Sequence, residues 1–84
     1  MNYKDVERAL ERLEPFKHGY SMSASIVTNE CGESFYCVYS YTTLIASYDL
    51  RMQDWWINEE KYSVTTSKQQ NMVRRVASRA LELV

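Results

Sequence analysis

One histidine, two cysteines and a scatter of carboxylates are the groups in this 84-residue chain that could make or break bonds. A general base or a metal centre needs partners converging on the imidazole. His18 stands beside Gly19 in an expected loop, with no His, Cys or carboxylate at ligand spacing. Cys31 and Cys37 have five residues between them, which is neither the C-x-x-C of a redox or zinc site nor a disulfide framework. Two free thiols are expected, Cys37 packing as a small hydrophobe inside an aromatic run and Cys31 exposed in a turn. The chain also lacks a phosphate-binding glycine loop, a nucleophile elbow and a zinc-protease helix. The expectation is a protein that is not an enzyme and uses no cofactor or metal.

What remains is chemistry of contact. Seven Tyr and two Trp exceed what so small a core can enclose, and both residue types join a large apolar surface to a polar handle. Either Trp55 and Trp56 split their sides, one closing the core and one half-exposed under a loop, or one of them anchors a partner. Residues 29–60 carry Glu30, Glu33, Asp49, Asp54, Glu59 and Glu60 against Arg51, a balance of 1 − 6 = −5. Residues 63–84 carry Lys68, Arg74, Arg75 and Arg79 against Glu82, a balance of 4 − 1 = +3. Two binding sites follow as expectations. The first is a protein-binding surface of Glu33, Asp54, Trp55, Trp56, Glu59 and Glu60, acidic around an aromatic and suited to a basic partner. The alternative is a nucleic-acid-binding stripe of Lys68, Arg75 and Arg79 on the last helix, a weak footprint in a chain of net charge −1.

The elements that position these residues follow from periodicity. Tyr3, Val6, Leu10 and Leu13 recur at spacings of three and four, so residues 3–14 form an amphipathic helix capped by Asn2 and stopped by Pro15. Phe16 to Gly19 reads as a connection. From Tyr20 to Thr28 serine occupies alternate positions, placing Tyr20, Met22, Ala24 and Ile26 on one face of a strand. Asn29 to Gly32 supplies a turn. Glu33 to Tyr41 is a second strand, with Phe35, Cys37, Tyr39 and Tyr41 facing one way and Tyr36 and Val38 the other. Thr42-Thr43 reads as a turn or bulge, Leu44 to Tyr48 as a further strand, residues 49–54 as a loop, Trp55 to Ile57 as a short strand and Lys61 to Thr65 as the last. A capping box of Thr66 with Gln69, or Ser67 with Gln70, then opens a helix over 67–83. On it Val73, Val76, Ala77, Ala80 and Val84 form the buried stripe, with Met72 and Leu81 at its edges. The fold class is α+β: one domain over residues 1–84, an antiparallel meander of four or five strands flanked by an N-terminal and a C-terminal helix. No run approaches the roughly 20 apolar residues a membrane span requires, so no membrane partner and a cytoplasmic protein are expected.

The run Val38-Tyr39-Ser40-Tyr41-Thr42-Thr43-Leu44-Ile45-Ala46, then Trp55 or Trp56, then Lys61 through Asn71 resembles a family of small uncharacterised proteins from bacteriophages and mobile elements. The resemblance covers residues 38–73, and Lys61-Tyr62-Ser63-Val64-Thr65-Thr66-Ser67-Lys68 is its specific part. Relatives often carry histidine where this chain has Gln69, so no imidazole role carries over. The resemblance implies no enzymatic activity, and it implies a bacterial host cytosol as the place of action. It further implies a protein that binds and inhibits one host protein, as a monomer or a homodimer, with an anti-CRISPR inhibitor of a Cas effector as its sharpest form. A nucleic-acid-binding regulator and a structural, oligomeric phage protein are the alternatives.

Overall fold

A computed structural model describes residues 2–60 and 62–82, with side chains of the last helix as far as Arg79. The elements are α1 (Tyr3–Arg12), β1 (Phe16–His18), β2 (Met22–Thr28), β3 (Ser34–Ser40), β4 (Thr43–Asp49), β5 (Asp54–Ile57) and α2 (Val64–Glu82). The five strands form one sheet in the order β1-β2-β3-β4-β5, every neighbouring pair antiparallel. The expected α+β meander between two helices is the observed fold.

Both ends of α1 are built from local chemistry. Asn2 Oδ1 accepts the Asp5 N–H at 3.0 Å, and the Asp5 carboxylate accepts the Asn2 N–H at 3.3 Å, so two of the helix's free donors are satisfied reciprocally. Leu13 adopts φ 55°, the Glu14 N–H donates to Ala9 O at 2.9 Å, and Pro15 cannot continue the helix. The chain leaves directly into β1, a strand where a connection is expected. Three residues carry no periodic signal of their own, and β1 is extended because Phe16, Lys17 and His18 pair with Ala24, Ser23 and Met22.

Both helices lie on one face of the sheet and enclose Val6, Leu10, Met22, Ala24, Tyr36, Val38, Ile45, Ala46, Met72, Val73 and Val76. On β4 the register slips opposite Val38 and Tyr39, so Ile45 is an extra residue and both Ile45 and Ala46 are fully buried. Two expected core positions fall outside: Tyr20 is 89% exposed in the β1–β2 turn, and Ile26 is half exposed where the helices no longer cover β2. Tyr41, expected to continue β3, instead makes the β3–β4 turn with φ 56°.

Tyr36 is the largest fully buried side chain, and its hydroxyl donates to Glu14 O at 2.7 Å, tying the exit of α1 to the sheet. Burial, reinforced by the Glu14 carboxylate, holds this phenol well above its ordinary value near 10. The folded state therefore keeps a proton that the unfolded chain releases. This contribution is fully present below about pH 10 and is lost above it at about 1.4 kcal/mol per pH unit. Urea unfolding across that range will show the decline, and Tyr36→Phe will remove this one-proton share of the slope.

The start of α2 departs from expectation. No strand occupies Tyr62 to Thr65, because the helix begins at Val64; Lys61 lies outside the described residues. The cap is Ser63, whose Oγ accepts the Thr66 N–H at 3.3 Å, rather than Thr66 or Ser67. The glutamines expected to close a capping box are buried and bond to other elements. Gln69 Nε2 donates to Ser21 O at 3.1 Å, and Gln70 Nε2 donates to Asn58 O at 2.6 Å and Glu60 O at 3.2 Å. Those three bonds anchor the first turns of α2 to both ends of the meander. Thr66 Oγ1 completes the set with a 2.9 Å bond to the buried Ser40 Oγ. Val73 and Val76 are buried as expected, Ala77 is half-buried and Met72 belongs to the core rather than its edge. Leu83, Val84 and the side chains of Ala80 and Leu81 lie outside the described residues.

Candidate functional site

Because directly paired residues of antiparallel strands share a face, the register assigns every strand side chain to one side of the sheet. The helix-covered side holds the rows Met22 with Ser40 and Ala24 with Val38, Ala46 and Ile57. The other side bears no helix. Its rows are Lys17, Ser23, Tyr39 and Leu44; Ser25, Cys37, Ser47 and Trp56; and Val27, Phe35, Asp49 and Asp54. Trp56 is 51% exposed and Val27 45%, while Phe35, Cys37, Tyr39 and Leu44 are half-buried. An apolar and aromatic surface therefore runs diagonally across the open face, bounded by Lys17 on one edge strand and by Asp49 and Asp54 at the opposite corner.

Cys37, expected to pack as a small hydrophobe in the aromatic run, is a half-buried free thiol on this open face and not part of the core. It sits opposite Ser25, and the serine repeat of β2 marks the uncovered side. Partial burial pushes its thiol up, with Tyr39 pulling the other way. Cys31 is exposed in the β2–β3 turn, as expected.

The two tryptophans split as read from the sequence. Trp55 packs on the core side with its ring edge-on to Tyr36 at 6.2 Å and to Tyr48 at 5.2 Å. Trp56 faces out. The carboxylates expected to surround them do not form one site. Glu33 and Asp54 lie at the sheet end made by the β2–β3 and β4–β5 turns, whereas Glu59 and Glu60 follow β5 at the other end. Some of these acids already have local partners. Glu33 accepts from Asn29 Nδ2 at 3.2 Å, Asp49 Oδ1 accepts the N–H groups of Arg51 and Met52, and Glu60 accepts the Tyr62 hydroxyl at 2.9 Å. Asp54 is the exposed acid on the rim of the open face.

The basic stripe on α2 is largely committed to α1. Arg79 pairs with Glu11 at 2.8 Å and with Glu7 at 3.5 Å, and Arg75 pairs with Glu7 at 3.3 Å. Lys68 is exposed in the first half of the helix. These are partly solvated pairs that orient one helix on the other and contribute about 0 to 1 kcal/mol each. His18 stacks on Tyr3 with centroids 4.8 Å apart, and among the described residues no three His, Cys, Asp or Glu side chains converge as metal ligands. Among the described residues no helix is long and apolar enough to cross a membrane.

Phe35, Tyr39, Leu44, Val27 and Lys17 were absent from the binding surface read from the sequence. The signal for them lay in β2: serines at 23 and 25 face water, and the Asn29 to Glu33 turn sets a register in which Tyr39 and Cys37 oppose them.

Fold and surface together define an α+β domain with a two-helix layer on one side of an antiparallel sheet and an aromatic open face on the other. The family of unknown function DUF8033 matches residues 10–78, and the chain belongs to it. No curated protein and no solved structure matches the chain.

Proposed function

We propose that the chain is a small non-enzymatic binding protein that inhibits a host protein, using the open sheet face as its contact surface. The observation that carries this reading is the surface of exposed Trp56 and Val27 with half-buried Phe35, Tyr39 and Leu44 on the side that neither helix covers. Large aromatics in such a position anchor protein interfaces, and the acids at its corner favour a partner with a basic flank. The resemblance to bacteriophage and mobile-element proteins supports a target in the bacterial cytosol. A CRISPR effector, whose nucleic-acid channel is basic, is the specific candidate. The net charge of −1 argues for a wedge or allosteric contact over mimicry of a duplex. The pairing of Arg75 and Arg79 with α1 weakens a nucleic-acid role for α2.

The test is capture from nuclease-treated host lysate with the wild-type chain and with Phe35→Lys/Tyr39→Lys. Recovery of one CRISPR effector by the wild type, at least tenfold reduced for the double variant, is expected. Capture only without nuclease, abolished by Lys68→Glu and unaffected by the double variant, would replace this reading with nucleic-acid binding. Assembly of the purified chain into large oligomers without any captured protein would favour a structural phage component.

A further inference from the structure

We infer that a second copy of this chain pairs with the outer edge of β5, antiparallel and centred on Trp56, so that two sheets become one. The two edges of the sheet are built differently. β1 is three residues long with Lys17 at its centre and Pro15 before it, both devices that discourage strand addition. β5 is Asp54-Trp55-Trp56-Ile57, with no proline, lysine or bulge in it.

The hydrogen-bond phase of β5 identifies the groups its edge presents. The Asn58 N–H donates to Ile45 O at 2.8 Å while Ile57 stands opposite Ala46, so Ile57 and Ala46 are a non-hydrogen-bonded pair. By alternation Trp56 bonds to β4, and the N–H and C=O groups of Trp55 and Ile57 point away from the sheet. A partner strand must satisfy those two residues.

One self-pairing does so fully. Side chains directly opposite must share a face, so a two-fold axis can pass only through a residue position of β5. An axis at Trp55 places Ile57 against Gln53, which lies in the β4–β5 turn with φ 56°, and an axis at Ile57 places Trp55 against Glu59, beyond the strand. An axis at Trp56 sets Trp55 of each copy against Ile57 of the other and forms four backbone hydrogen bonds. In that register Asp54 lies opposite the neutral Asn58, so no acid faces an acid. The two Trp56 rings become a non-hydrogen-bonded cross-strand pair on the open face, the closest arrangement two side chains adopt on a sheet. The helices of both copies stay on the other side, and the open faces join into one ten-stranded surface. Phe35 and Tyr39 lie two strands from the axis, so this pairing and the binding of a foreign protein can be tested apart.

Sedimentation equilibrium from low micromolar to millimolar chain reads the association. The mass should rise from 9.9 kDa toward twice that value, and Trp56→Lys, which sets two like charges on the axis, should hold it at 9.9 kDa with an unchanged circular dichroism spectrum. Phe35→Lys/Tyr39→Lys should associate like the wild type. In a Cys31→Ser/Cys37→Ser background, Trp56→Cys should form a disulfide-linked dimer on mild oxidation, because Cα atoms of such a pair stand about 4.5 Å apart. Ser47→Cys, one strand inward on each copy and about 14 Å from its counterpart, should not. A wild type that stays at 9.9 kDa throughout, association that survives Trp56→Lys, or linkage through Ser47→Cys as readily as through Trp56→Cys would overturn the inference.

Discussion

Replacing Tyr36 with alanine will remove about 3 to 5 kcal/mol of stability, the range for deleting a large buried aromatic. A chain of this length commands about 4 to 13 kcal/mol in total, so the loss takes from about a quarter of the stability to all of it. The size of the effect follows from what the side chain joins. Its ring is fully buried at the centre of β3, Trp55 packs edge-on against it, and its hydroxyl holds Glu14 O at 2.7 Å where α1 hands over to β1. Alanine therefore opens a cavity between the layers and releases the α1 exit together. Tyr36→Phe separates the two contributions: it keeps the ring and loses only the hydroxyl bond, at about 1 kcal/mol. Equilibrium urea unfolding of both variants measures the difference. A loss for Tyr36→Ala no larger than that for Tyr36→Phe would show that the ring is not a principal support of the core.

How much of this was legible from the residues depends on how local each cause is. Asn2, Asp5 and Pro15 act within one turn of helix, and α1 read correctly almost to its end. The serine alternation in β2 and the aromatic run in β3 carry a period of two, and the meander read correctly too. β1 failed because its conformation is imposed by pairing with β2. The segment before α2 failed for the opposite reason. Tyr62, Val64 and Thr65 suit a strand, but no neighbouring strand receives them, and Ser63 caps a helix that Gln69 and Gln70 hold against the sheet from within. The acids of the expected site are not gathered at one end of the sheet, because charge balance along the chain ignores which end each turn occupies. Glu33 and Glu59 are close in composition and lie at opposite ends of the strands.

The sidedness of β3 is the step on which the binding surface depends, and it predicts opposite outcomes at adjacent residues. Val38→Lys places an ammonium among Leu10, Met22, Ala46 and Val73 in a core that offers it no carboxylate. The unpaired charge costs about 3 to 5 kcal/mol or is forced neutral, and the chain will not fold stably. Cys37→Lys projects the same side chain from the open face, where it reaches water beside Ser25 and Ser47, and stability will change by about 0.5 kcal/mol. Thermal unfolding of the two variants decides the matter, and equal destabilisation would mean that β3 is covered on both sides. Strand β3 is apolar on both faces, with Phe35, Cys37 and Tyr39 on one and Tyr36 and Val38 on the other, which a strand with one solvated face does not require for folding. The helices account for Tyr36 and Val38. Phe35 and Tyr39 lie outside the core that α1 and α2 enclose, which is what the proposed contact surface requires of them.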